Sequence, residues 1–194
     1  MLKLIQPWLA RLGKVVIGER GGKGGAPVKF DHFVVKSLYR DKNGNLMPDQ
    51  ELMERLGEQP RSLKIRLPFN DLDMNFITNL SYYRGRRLYC TGDGEDARRL
   101  TVLTNGEQPT YGPSAPFGPC GQGCPDFQAR RCKPLGILRM VLEEQQQIGG
   151  LYEWRTTSWN SIRNVLSGLA MIKAQTGGFL AWVPLTMRLV PQTV

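Results

Sequence analysis

Apolar and polar residues alternate in Ser62-Leu63-Lys64-Ile65-Arg66-Leu67, which puts Leu63, Ile65 and Leu67 on one side and the two cations on the other. That period of two predicts a half-exposed strand, closed by Pro68. From Ser158 to about Gln175 the period becomes helical: Trp159, Ile162, Val165 or Leu166, Leu169 and Ile172 form one stripe. Ser158 supplies the cap and Gly177-Gly178 the stop. The β-branched and aromatic content of residues 14–18 and 30–38 predicts two further strands, and Asp41-Lys42-Asn43-Gly44-Asn45 a turn. Asp49 starts a short helix to Leu56. Asn70-Asp71-Leu72-Asp73 reads as the cap of another, with Leu72, Phe76 and Leu80 on one face. Thr91-Gly92-Asp93-Gly94 is a turn, and residues 98–103 a short strand. Residues 135–144 and 151–156 form a hairpin about a turn at 145–150, and 180–190 a closing strand with Pro184 at an edge or an irregular start.

These elements predict an α+β, β-rich chain with a C-terminal amphipathic helix. Its 194 residues suit one domain, 1–194, carrying an insertion at about 90–134. The longest apolar runs are short and broken by charge, so the sequence offers no bilayer-spanning helix. Pro7 and Arg11 interrupt the apolar opening, which is read as mature chain rather than a secretory signal, and the expected location is the cytoplasm.

The four cysteines change the picture most. Twenty-nine residues separate Cys90 from Cys120, three separate Cys120 from Cys124, and seven separate Cys124 from Cys132. Between residues 105 and 125, ten of 21 residues are Gly or Pro, a composition that forms no regular element and needs something to hold it. Four soft thiolates satisfy zinc tetrahedrally and close its shell, so Cys90, Cys120, Cys124 and Cys132 are the candidate ligands of a structural zinc. Only one close pair is present, where the familiar spacing has two. Four reduced thiols acting as small apolar residues, or two disulfides, remain the alternatives.

Charge then points to partners. The chain carries +9 with a pI near 9.7, spread as +4, +3 and +2 over residues 1–81, 82–134 and 135–194, so a positive face must be assembled by folding. An anionic partner, nucleic acid above all, fits that balance; a basic surface that serves only solubility is the plainer reading. In Tyr82-Tyr83-Arg84-Gly85-Arg86-Arg87-Leu88-Tyr89-Cys90 basic and aromatic side chains interleave, combining attraction to phosphate with base stacking. Arg130, Arg131 and Lys133 flank Cys132, and Trp154-Arg155 adds a further aromatic and cation. These residues are the candidate surface for DNA, single-stranded above all; half-buried tyrosines of an ordinary strand are the competing reading. An OB-like barrel with a zinc-binding insertion built on the four cysteines would be the economical architecture. The Gly/Lys loop at 19–27 lacks the Gly-Lys-Ser/Thr ending of a phosphate-binding loop and reads as a hairpin loop. Asp71 and Asp73 are explained by capping, and His32 as a structural or surface residue.

Several stretches, taken in order, resemble the recombination directionality factor-like proteins of temperate phages and integrative elements. They are Gly-Ala-Pro-Val-Lys-Phe-Asp-His-Phe at 25–33, Leu67-Pro68-Phe69 with Asn75-Phe76, Leu-Tyr-Cys-Thr-Gly-Asp-Gly at 88–94, the Cys120 to Cys132 cluster, Gly-Gly-Leu-Tyr-Glu-Trp-Arg-Thr-Thr-Ser at 149–158, and Asn160-Ser161-Ile162. The resemblance spans about residues 16–191. It implies a DNA-transaction role in a phage or mobile element within a bacterial host: some members bind a serine integrase and reverse its direction, and others carry metal-binding or hydrolase labels. The expected function is an accessory protein that binds DNA directly. The alternative is a protein-interaction module that switches an integrase without touching DNA. No nucleophile, base and orienter set supports a hydrolase.

Overall fold

The computed structural model describes residues 9–19, 26, 28–85, 87–99, 115–145 and 148–190. The chain divides into two units. Met1–Asn75, Leu138–Arg155 and Leu169–Val194 make unit 1; Phe76–Ile137 and Thr156–Gly168 make unit 2.

In unit 1, β1 (Ala10–Glu19) and β2 (Val28–Arg40) pair antiparallel with Val15 opposite Val35. Val15, Phe33 and Val35 are buried and the residues between them are not, as a pleated strand with one core face requires. The Asp41 carboxylate accepts from the Asn43 and Asn45 N–H groups, both at 2.8 Å, and turns the chain into β3 (Leu46–Pro48) along β2. Asp49 caps α1 (Gln50–Leu56) by accepting from the Leu52 N–H at 3.2 Å. β4 (Ser62–Arg66) alternates as its sequence predicts, with Leu63 and Ile65 buried. It lies between β11 (Leu185–Arg188) and the second half of β9 (Lys133–Leu142). β10 (Gly150–Thr156) neighbours β9, as the hairpin reading expects, and runs parallel to β1 with Trp154 opposite Val15.

The helix expected from the cap at 70–73 stops after one turn, α2 (Leu72–Asn75). Asn75 is fully buried; its amide donates to the carbonyls of Phe69 (2.7 Å) and Asp71 (2.9 Å) and accepts from the Phe69 N–H. Those bonds take the place of helical ones, and the β-prone Phe76, Ile77, Thr78, Tyr82 and Tyr83 enter β5 (Phe76–Arg84).

In unit 2, β5 is followed by β6 (Arg87–Gly92), β7 (Asp96–Arg99) and β8 (Ala115–Pro119), antiparallel in that order. The strand expected at 98–103 begins earlier, in β7, and its last residues lie outside those described. α3 (Pro125–Gln128) is one turn long. α4 (Trp159–Gln175), of which the part to Gly168 belongs to unit 2 and the rest to unit 1, matches the predicted helix: the Ser158 Oγ accepts from the Ser161 N–H at 3.3 Å, and Ile162 and Leu169 are buried. Trp159 departs from the stripe, being 54% exposed.

The strand path is β3-β2-β1-β10-β9 in unit 1 and β9-β5-β6-β7-β8 in unit 2, ending on β3 and β8. The β-rich α+β class therefore holds as an open mixed sheet; the described strands do not form the closed OB-like barrel that the sequence suggested. Among the described residues no helix is long and apolar enough to cross a membrane.

Candidate metal centre and basic surface

All four cysteines fall in unit 2 and carry free thiols. Cys90 is buried in the middle of β6, with Tyr82 of β5 on one side and Arg99 of β7 on the other. Cys120 follows β8, and a 3-10 turn over Gly121–Gly123 leads to Cys124, whose carbonyl accepts from the N–H groups of Phe127 and Gln128 in α3. Cys132 immediately precedes β9.

Two glycines let these segments meet. A Cβ on Gly92 would stand 2.4 Å from the Cys120 sulfur and 2.6 Å from the Asp96 carbonyl, so only glycine lets Cys120 lie against β6 two residues from Cys90. Gly121 has φ +73°, and a Cβ there would meet the Gly94 carbonyl at 2.8 Å. The 93–96 turn is shaped by Asp93, whose carboxylate accepts from the Glu95 and Asp96 N–H groups, and it receives the Cys120 N–H on the Glu95 carbonyl at 2.7 Å.

Burial pushes the Cys90 thiol up; Arg99 opposes the shift, while Cys124 and Cys120 add to it. The Cys132 thiol is pushed up to about 11, first by burial and then by the nearby Cys124, Cys90, Asp126 and Cys120. Neighbouring cysteines thus add to the disfavouring of the Cys90 and Cys132 thiolates, a repulsion that a bound cation would reverse. Four cysteine sulfurs would suit a closed structural zinc site, with the Asp126 carboxylate also close to Cys132. Among the described residues, no three His, Cys, Asp or Glu side chains already stand in a ligating arrangement.

The basic residues of unit 2 are drawn into the fold to different degrees. Arg84 stacks on Tyr89 with its guanidinium carbon 3.7 Å from the ring centroid, and reaches Tyr82 at 5.9 Å. Tyr82 and Tyr89 meet edge to face at 5.3 Å. Asp126, buried at the start of α3, accepts from Arg99 Nη2 at 2.7 Å and Arg131 Nη1 at 3.0 Å. Arg99 also lies over Tyr89, at 5.1 Å. Tyr83, Arg84, Arg87, Arg130, Arg131 and Lys133 are exposed, Arg84 and Arg131 while making the contacts just described, and Arg86 lies outside the described residues. Arg130 and Cys132 line a cavity of about 560 Å³ with Gln122, Phe127, Gln128 and Trp159.

The last two candidates belong to β10 and unit 1. Trp154 is only 4% exposed, so its ring is not available for stacking on a base. Arg155 is drawn onto Glu153 at 3.0 Å, a carboxylate that Arg11 also holds at 3.1 Å. In the same unit a cleft of about 800 Å³ is lined by Arg11, Tyr39, Asp49, Arg55 and Tyr152 among others. The Tyr152 hydroxyl donates to Asp49, and burial with that carboxylate pushes its pKa up to about 12, so it stays a neutral phenol. His32 pairs with Asp31 and stacks on Phe30. Arg99 and Asp126 are the residues that sequence reasoning missed; Tyr89 lies in the basic and aromatic stretch without being singled out there as a contact residue.

The open β-rich mixed sheet defines a fold class and no one activity. The chain matches the Gp3-like, recombination directionality factor-like family over residues 11–194, and belongs to it. No curated protein and no solved structure matches it.

Proposed function

We propose that this protein is an accessory factor of phage or mobile-element recombination that docks on a serine integrase and changes the direction of its reaction. The observation that carries this choice over direct DNA binding is the engagement of the basic and aromatic residues within the fold. Arg84 covers Tyr82 and Tyr89, Arg99 and Arg131 are held by Asp126, Arg155 by Glu153, and Trp154 is buried. A groove for single-stranded DNA needs open ring faces and free cations; Arg84, Arg131 and Arg155 are solvent-exposed, but each already rests on a ring or a carboxylate, and Trp154 offers no open face. Membership of the family supports a recombination partner. The role is accessory, not catalytic.

Direct DNA contact is the second reading, favoured by the exposed Tyr83, Arg87, Arg130 and Lys133 and by the net charge of +9. Binding measured against purified integrase and against single- and double-stranded oligonucleotides, at low and moderate salt, separates the two. Docking predicts salt-tolerant integrase binding and weak DNA binding; tight DNA binding that falls steeply with salt, without integrase binding, refutes it.

Within either reading Cys90, Cys120, Cys124 and Cys132 hold a structural zinc. Four thiolates leave no open position, so the ion supplies a crosslink between β6, the 3-10 turn and the start of β9 and no reaction chemistry. Cys124→Ser is expected to lower the metal content and the melting temperature together; elemental analysis finding a metal-free, fully stable wild type removes this part of the proposal.

A further inference from the structure

Unit 1 presents two large aromatic side chains to solvent within four residues of each other. Phe179 is 61% exposed and Trp182 58%. Trp182 also has φ +62°, a left-handed backbone that a bulky residue adopts only when its surroundings impose it. The imposing contacts are present. The Trp182 N–H donates to the Leu67 carbonyl at 2.9 Å, and its carbonyl accepts from Arg66 Nη1 at 2.7 Å. Arg66 is itself anchored by Glu143 at 2.9 Å. Just before it, the Asn70 side-chain oxygen accepts from the N–H groups of both Leu180 and Ala181, at 3.0 and 2.9 Å. Four hydrogen bonds from Arg66, Leu67 and Asn70 thus fix a turn whose aromatic rings stay largely exposed, and Glu143 steadies Arg66. Core packing does not explain such a turn; a binding anchor does, because an ordered Trp loses little entropy on association and is a common hot-spot residue.

Charge selects the occupant. The exposed positions of the adjoining β4 and β11 are Ser62, Lys64, Thr186 and Arg188, with Thr186 opposite Lys64 and Arg188 opposite Ser62, and neither strand contains a carboxylate. A complementary partner surface sets acidic side chains around an apolar pocket. We propose that Phe179 and Trp182 are the pre-organised anchors by which this protein docks on its recombinase, inserting into an acid-rimmed apolar pocket of that partner. This rests on the docking function proposed above and names the surface that performs it.

The test uses the full-length protein and immobilised serine integrase. Trp182→Ala is expected to weaken binding by roughly 30-fold or more, as loss of a hot-spot anchor does. Phe179→Ala should weaken it by about tenfold, and Lys64→Glu with Arg188→Glu by a similar factor. Trp182→Gly separates docking from folding: glycine accepts φ +62° without strain, so this variant should melt at or above the wild-type temperature while losing the same affinity. A merely structural Trp182 would lose stability and binding together. Wild-type binding with Trp182→Ala and Trp182→Gly both within about threefold overturns the surface and leaves the docking function standing. No wild-type binding to integrase overturns both. Loss of DNA binding in place of integrase binding would make this a nucleic-acid surface and also refute the proposal.

Discussion

Replacing Asp126 by Asn tests whether the arginines beside the cysteines are structural. The Asp126 side chain is 12% exposed and holds two guanidinium groups, Arg99 at 2.7 Å with 26% exposure and Arg131 at 3.0 Å with 56%. The Arg131 pair is largely screened by solvent and contributes under about 1 kcal/mol. A charge-assisted bond in the less exposed Arg99 pair is worth about 1.5–3 kcal/mol. Asn keeps the shape and one acceptor, so D126N is expected to cost about 1.5–3 kcal/mol in all. At about 2–4 °C per kcal/mol for a chain of this size, the melting temperature should fall by roughly 3–12 °C. Calorimetry on D126N, R131Q and the double variant measures the loss and the coupling. The same variant loosens two cations and should bind heparin more tightly than wild type. A melting temperature within about 1 °C of wild type, with no coupling, would show that Asp126 holds nothing and return Arg131 to the candidate binding residues.

The close approach at Gly92 predicts that Gly92→Ala, which drives a methyl group into the Cys120 sulfur and the Asp96 carbonyl, costs about 1–3 kcal/mol in urea denaturation. Gly168→Ala, in α4 with open space around it, should instead stabilise by about 0.5–1 kcal/mol; equal effects at the two sites would contradict the close approach. For Glu153, burial raises the pKa, but hydrogen bonds from Arg155 and Arg11 outweigh it and hold the carboxyl below its usual range. A depressed folded pKa stabilises the protein above the unfolded value of about 4.3, and that stability is lost as pH falls through the lower folded value. Glu153→Gln should therefore be less stable at neutral pH and show a flatter acid limb; curves parallel from pH 7 to acid would refute the pairing.

Local signals carried much of the fold. β4, α1 and α4 appear where period, caps and glycine stops put them, because each is decided by neighbours within a few residues. The helix expected through Phe76 and Leu80 failed for a geometric reason: residues four apart share a face in a strand as well as in a helix, and the buried Asn75 decides between them. Trp154 was misjudged because β10 is paired with both β1 and β9, so Gly150 to Trp154 are all buried and the strand shows no alternation. The pairing of Asp126 with Arg99 spans 27 residues, and the Trp182 backbone is set by Arg66, Leu67 and Asn70 more than 110 residues earlier. Contacts of that range leave no periodic trace. The four cysteines were legible as candidate ligands, and the Gly92 contact that seats Cys120 against β6 was not.

A purified serine integrase supplied with the two hybrid junctions that flank an integrated element gives the most direct measurement. Adding this protein should make integrase recombine those junctions and suppress the integrative reaction, with Trp182→Gly failing to do so at the same concentration. An unchanged product distribution in the presence of folded, metal-analysed protein would contradict the docking function.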